Sequence, residues 1–197
     1  MRVFVAVNLP DRILEGLAGA RRALERGTAQ LKSVDRSGMH VTLCFVGEVE
    51  PQDAELLGHA VRRASDGEGP LRLALGSGGS FPSSDDARVV WVGVEGETRR
   101  LLTLQKAVSS EIRELGFRID KRPFSPHVTL ARVGRMATRE ERRRIAALAA
   151  TIDCLGLGSF EVGTVDVMQS FLSAQSATYA PVAQIPLGAA ELGSSSE

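Results

Sequence analysis

Two of the chain's three histidines open the same four-residue pattern, His40-Val41-Thr42-Leu43 and His127-Val128-Thr129-Leu130, and they stand 87 residues apart. The same shift lays Val3-Phe4-Val5-Ala6-Val7 on Val90-Trp91-Val92-Gly93-Val94, and Pro51 on Thr138. One offset therefore aligns a strand, a motif and a helix start, as an internal duplication does. Such a chain is expected to fold as two βαβ-type lobes related by a pseudo-twofold axis.

The coarse pattern along each half agrees. Residues 2–7 read as a strand that stops at Pro10-Asp11, and Ile13, Leu14, Leu17, Ala20 and Leu24 recur at helical spacing up to Gly27. Met39–Val46 is a strand closed by Gly47, Pro51 opens a helix, and Leu71–Leu75 is a short strand before a flexible Gly76-Ser77-Gly78-Gly79-Ser80. In the second half Arg88–Val94 is a strand, Thr98–Leu115 a helix ended by Gly116, and Phe117–Asp120 a short extended piece. Pro126–Val133 is the second motif strand. Thr138-Arg139-Glu140-Glu141 has the spacing of a capping box, Phe160–Met168 alternates as one strand, and Ser173–Thr178 is a hairpin turn leading into Tyr179–Leu187. Residues 1–187 are expected to form one bilobal domain, with 188–197, rich in Gly, Ala and Ser, a disordered tail.

Composition narrows the function. The 197 residues are 43% hydrophobic and 24% charged, which is ordinary globular composition. The 24 basic and 24 acidic side chains cancel, which argues against a broad electrostatic grip on duplex nucleic acid. Cys44 and Cys154 are too few for a disulfide framework and read as buried thiols of a protein in the reducing cytoplasm. No apolar stretch approaches the roughly 18 residues of a membrane helix.

In a strand, residues i and i+2 share a face, so His40 projects with Thr42 and His127 with Thr129. Side by side, the two motifs would offer two imidazoles and two hydroxyls to one cavity. A phosphodiester suits that set: one imidazole takes a proton from the nucleophile, the other gives one to the leaving oxygen, and the hydroxyls bond the non-bridging oxygens. No metal is required. Neither motif has a second histidine, and no Asp or Glu lies between Met39 and Val46 or between Arg122 and Met136 to complete a zinc site; no Lys-Ser/Thr follows Gly76-Ser77-Gly78-Gly79 to make an ATP-binding loop. Cys44 lacks an orienting partner for nucleophilic work. His59, on the second helix among Leu57, Gly58 and Ala60, reads as a surface or packing residue.

These residues resemble the 2H phosphoesterase superfamily and, within it, the RNA 2′,3′-cyclic phosphodiesterase family, also called 2′-5′ RNA ligase. Family-like segments are Arg2–Pro10, Met39–Val49, Phe81-Pro82-Ser83, Arg88–Val94 and Arg122–Arg132, so the likeness runs to about Leu187. It implies an α+β fold with two antiparallel sheets flanking a cleft, and hydrolysis of a terminal 2′,3′-cyclic phosphate to a 2′-phosphomonoester without cofactor. By position, His40 would be the proton donor to the 3′ oxygen and His127 the acceptor that activates water, with Thr42 and Thr129 on the phosphate. The terminal base would lie between the residues five past each histidine, Phe45 and Arg132. Strict alternation puts those two on the opposite face, so they reach the cleft only if the strands bend, as Gly47 and Gly134 permit; a core Phe and a surface Arg are the alternatives. Where relatives commonly carry an aromatic residue and a basic–Pro pair, this chain has Lys32-Ser33-Val34-Asp35-Arg36-Ser37-Gly38.

The expected partners are RNA ends or cyclic nucleotides, met by a monomer whose basic surplus (Arg118, Lys121, Arg122, Arg132 and Arg135 against Asp120) gathers near His127. Three other functions remain: ATP-independent 2′-5′ ligation by the reverse reaction, a small-nucleotide cyclic phosphodiesterase, and an RNA-end binding module.

Overall fold

The computed structural model describes residues 1–28, 30–120, 122–172 and 177–188. In chain order it runs β1 (Arg2–Asn8), α1 (Asp11–Gly27), β2 (Leu31–Ser33), β3 (His40–Glu48), α2 (Asp53–Ala64), β4 (Leu71–Pro82), β5 (Ala87–Gly96), α3 (Thr98–Glu114), β6 (His127–Val133), α4 (Arg139–Ala149), β7 (Ser159–Val162), β8 (Thr164–Leu172) and β9 (Ala177–Pro186). The expected turn at 173–178 and the tail after Gly188 lie largely outside the described residues.

The strands follow the order β7-β4-β5-β6-β3-β1-β8-β9, with β2 beside β6, and every pairing is antiparallel. The order mirrors itself about the β6–β3 junction, so the two antiparallel halves expected from the repeat are both present. They are joined there by one residue pair, Val41 with Val128, which the offset of 87 also relates.

The helices exchange halves. α1, which leaves β1, packs on β2, β6 and α4, whereas α3, which leaves β5, packs on β3, β4 and α2. The two halves are therefore interleaved. All four helices cover one face of the sheet, where Val5, Val7, Ile13, Leu17, Val41, Leu57, Val92, Leu101, Val128 and Ile145 meet in a continuous apolar core. Burying that face supplies the main drive to fold. The opposite face is left open and carries a second, small cluster of Phe4, Ala6 and Met168 against Tyr179.

Several elements follow local chemistry closely. Thr138 caps α4 by accepting from the Glu141 amide while the Glu141 carboxylate receives the Thr138 N–H, completing the capping box. Gly116 ends α3 at φ 88°, where a side chain would be strained. His59 is exposed, with Glu55 one helical turn away.

Two expectations fail for tertiary reasons. Gly76–Ser80 is not a flexible linker: β4 runs unbroken from Leu71 to Pro82. Its glycines make room, since a Cβ on Gly79 would lie 2.5 Å from the Trp91 ring and one on Gly78 would lie 2.4 Å from the Ala149 carbonyl. The alternating run 160–168 is two strands that change partners at Gly163, β7 pairing with β4 in one half and β8 with β1 in the other. Phe117–Asp120, expected as a short extended piece, belongs to no helix and pairs with no strand.

Gly79→Ala should therefore push against the chain's only tryptophan. We expect a shifted Trp91 emission spectrum and a loss of about 1–3 kcal/mol in urea unfolding followed by circular dichroism.

Candidate active site

The β3–β6 junction builds the site. Val41 and Val128 both point into the helix-side core, so their sequence neighbours point to the open face. The antiparallel register of that pair sets His40 across from Thr129 and Thr42 across from His127. Each imidazole thus stands beside the hydroxyl of the other half. Thr42 and Thr129 are half-buried, and among the described residues neither hydroxyl has a partner within the chain.

Phe45 and Arg132 join this face through a device the sequence analysis misplaced. Along β1 and β3, Asn8 pairs with His40 and Ala6 with Thr42, but Val5 then pairs with Cys44 and Phe4 with Phe45. One extra residue, Leu43, is inserted in β3 and reverses the phase of alternation. β6 does the same at Leu130: Gly93 pairs with His127 and Trp91 with Thr129, then Val90 with Ala131 and Val89 with Arg132. The bends expected at Gly47 and Gly134 are not what turns these side chains; a β-bulge at the same motif position in each half does so earlier. Phe45 is accordingly 50% exposed rather than a core residue.

Both bulge carbonyls are satisfied from the other side of the duplication. The Gln105 amide on α3 donates to the Leu43 carbonyl at 3.2 Å and to Ser109 Oγ. The Val34 backbone N–H donates to the Leu130 carbonyl at 2.9 Å. The swapped crossovers thereby hold the two kinks that define the cleft. Cys44 is turned by the same bulge into the core, where burial pushes its thiol up to about 11, so it is a packed thiol and not a nucleophile.

Aromatic rings wall both histidines. His40 is stacked on Phe4 at 4.7 Å and meets the Tyr179 ring edge-on at 5.3 Å. Ala6, between Asn8 and Phe4 on that face, offers only a methyl and leaves room for Phe4 to lean onto the imidazole. His127 meets Phe81 edge-on at 5.0 Å and Trp91 at 6.3 Å. None of these four rings follows from the spacing of the two histidine motifs. A signal existed for two: the offset of 87 places Phe4 on Trp91. The pairing register of the flanking strands differs by two between halves, since Asn8 opposite His40 and Gly93 opposite His127 are 85 apart.

The imidazoles are not equivalent. His40 has only 9% of its surface exposed, and burial lowers its pKa to about 4; the nearby Ser37 carbonyl opposes this, although His40 Nδ1 makes no well-formed hydrogen bond, and the charges of Arg132 and His127 lower it further. His127 is half-buried and also lowered, first by burial and then by Arg132, with the Ser125 carbonyl opposing. Its Nδ1 lies 2.7 Å from that carbonyl, which can only accept, so Nδ1 carries the proton and Nε2 is the free acceptor. Arg132 lowers both rings and His127 lowers His40, so the three groups lie within electrostatic reach of one another. Beyond them, Asp166 is fully buried on the same face and accepts from the Asn8 amide; burial raises its pKa. No three His, Cys, Asp or Glu side chains among the described residues converge as a metal set.

Three measurements check this arrangement. In a proton NMR titration His40 should titrate near 4 and His127 below 6.5. Because the unfolded chain binds more protons than the native one between those values, stability should fall as pH drops from 6.5 to 4. Gln105→Ala, which strands the Leu43 carbonyl, should cost about 1–3 kcal/mol in urea unfolding.

Known proteins give the site a family. Residues 4–170 match the family described as the 2′-5′ RNA ligase superfamily. A protein of Aeropyrum pernix named RNA 2′,3′-cyclic phosphodiesterase is 35% identical over 167 residues, covering 83% of this chain and 90% of that one. One of the same name from Archaeoglobus fulgidus is 32% identical over 180 residues, covering 91% and 96%. Among solved structures, TT0787 of Thermus thermophilus superposes with a TM-score of 0.76 at 26% identity, and E. coli LigT complexed with 3′-AMP with 0.73 at 25%; each comparison covers 95% of this chain and 98% of the other. No helix among the described residues is long and apolar enough to cross a membrane. The fold, the twin motifs and a sequence match over residues 4–170 together show that the chain belongs to the 2′-5′ RNA ligase superfamily.

Proposed function

We propose that the protein hydrolyses 2′,3′-cyclic phosphodiesters at RNA or nucleotide ends to 2′-phosphomonoesters, by general acid and base catalysis from two histidines. The observation that carries this reading is the β3–β6 junction, whose register brings two imidazoles and two Thr hydroxyls, unengaged among the described residues, to neighbouring positions on the open face. The names of the relatives, RNA 2′,3′-cyclic phosphodiesterase, support it. The acting unit is residues 1–187, a monomer that needs no metal or other cofactor. The buried free thiols of Cys44 and Cys154 favour the cytoplasm.

In this reading water is the nucleophile. His127 Nε2 takes its proton as the water oxygen bonds to phosphorus; the P–O3′ bond breaks, and His40 gives a proton to O3′. The phosphate stays on O2′, and the histidines end with their protonation states exchanged, to be reset by solvent. Thr42 and Thr129 donate to the non-bridging oxygens. Phe45 and Arg132 take the faces of the terminal base, a π surface on one side and a planar cation on the other.

His40 must be protonated to act as the acid, yet it is neutral at pH 7 in the free protein. A bound phosphodiester anion is the opposite charge that raises both imidazoles. The proton on His40 and the substrate therefore stabilise one another.

His40→Ala and His127→Ala should each lower kcat by about 10²–10⁴-fold on an oligoribonucleotide ending in a 2′,3′-cyclic phosphate, with wild-type turnover unchanged by excess EDTA. Wild type that leaves the substrate intact, or either variant at full rate, overturns the reading; tight binding without turnover points to an RNA-end binding module. The kcat/KM profile should be a bell with both limbs below pH 6.5, because both free-enzyme imidazoles are lowered, and the kcat profile should lie at higher pH.

A further inference from the structure

The cleft has one strand that the duplication does not repeat. β2 fills the gap that opens where β3 and β6 diverge, and it pairs Leu31 with Val133, Lys32 with Arg132 and Ser33 with Ala131. Residues directly opposite in an antiparallel pair share a face, and Arg132 lies on the face of Thr129 and His127 through the bulge at Leu130. Lys32 therefore stands beside Arg132 on the cleft side, and both are exposed.

Two like charges directly opposite one another destabilise a sheet unless something answers them. Two other arginines of these segments are answered, Arg36 by Asp11 and Arg122 by Asp120. Among the described residues neither Lys32 nor Arg132 has an ion-pair or hydrogen-bond partner.

The counterpart of this pair in the other half is apolar. The offset of 87 relates Arg132 to Phe45 and Lys32 to Ile119, which packs against the core in a segment that forms no strand. One end of the cleft thus carries two free cations and the other an exposed aromatic ring.

We propose that Lys32 and Arg132 form an anion site at the cleft mouth for the phosphodiester on the 5′ side of the terminal nucleotide, making an RNA end a better substrate than a free cyclic nucleoside phosphate. This rests on the cyclic phosphodiesterase reading and specifies its substrate class. Arg132 keeps its plane on the base and donates from its edge N–H groups to the phosphate oxygens, which the Lys32 ammonium, a compact charge on a flexible stem, meets from the side. A single exposed contact of this kind is worth little energy, but it separates substrates by whether they carry the second phosphate.

The test uses the full-length protein and three substrates: a 2′,3′-cyclic mononucleotide with a free 5′-hydroxyl, the same nucleotide with a 5′-phosphate, and a dinucleotide ending in the cyclic phosphate. Wild type should show a lower KM for the second and third than for the first, with the advantage shrinking as salt rises. Lys32→Ala should raise KM for those two by about fivefold relative to the first, with kcat within about twofold, and Lys32→Arg should restore the advantage. An unchanged ratio in Lys32→Ala, a dinucleotide advantage that the 5′-phosphate alone does not reproduce, or no wild-type preference overturns the anion site. Wild type inactive on all three overturns the phosphodiesterase reading and the site with it.

Discussion

The pairing of Val41 with Val128 is the contact on which the rest of the cleft depends. It is the single ladder pair between β3 and β6, in two halves that otherwise exchange helices and the short strand β2, and both its side chains are sealed in the core. Antiparallel register then leaves no choice about the neighbours: the residues before and after each valine face outward, and each histidine meets the other half's threonine. A slip of either strand by one residue would turn its own histidine and threonine into the apolar core, where their desolvation is costly. The chemistry of the open face and the packing of the buried face therefore enforce the same register.

The bulges at Leu43 and Leu130 solve a geometric conflict within each motif strand. A strand that presents a histidine and a threonine at i and i+2 cannot, by regular alternation, also present the residue at i+5. One inserted residue changes the parity, and both inserted leucines are buried, so the insertion is anchored by apolar packing. The carbonyl that each kink exposes is taken up by a donor from a crossover, Gln105 in one half and the Val34 backbone in the other. Interleaving the halves makes each crossover the support of a strand it does not belong to.

Symmetry of backbone coexists with asymmetry of chemistry. His40 sits deep between Phe4 and Tyr179 and is strongly desolvated, whereas His127 is more open and is fixed in one tautomer by the Ser125 carbonyl. The same offset that relates the motifs exchanges Phe45 for Arg132 and, in the neighbouring segment, Ile119 for Lys32. A duplicated scaffold supplies two matched proton-carrying groups, and divergence of the residues around them gives an otherwise twofold cleft a direction.

The sequence by itself determined the duplication, the positions of the helices, the capping box on α4 and the two His-x-Thr pairs, because each is written in local spacing and composition. Phe45 and Arg132 came in only through the family resemblance, and their bend was expected at the wrong glycines, since parity along a strand is set by an insertion relative to a partner strand. The continuity of β4 through its glycines, the change of partner at Gly163, the aromatic walls of Phe81 and Tyr179, and the meeting of Lys32 with Arg132 were decided only in the tertiary structure. Each depends on which distant segment lies alongside, and a pattern of alternating side chains carries the same signal whatever strand it is paired with.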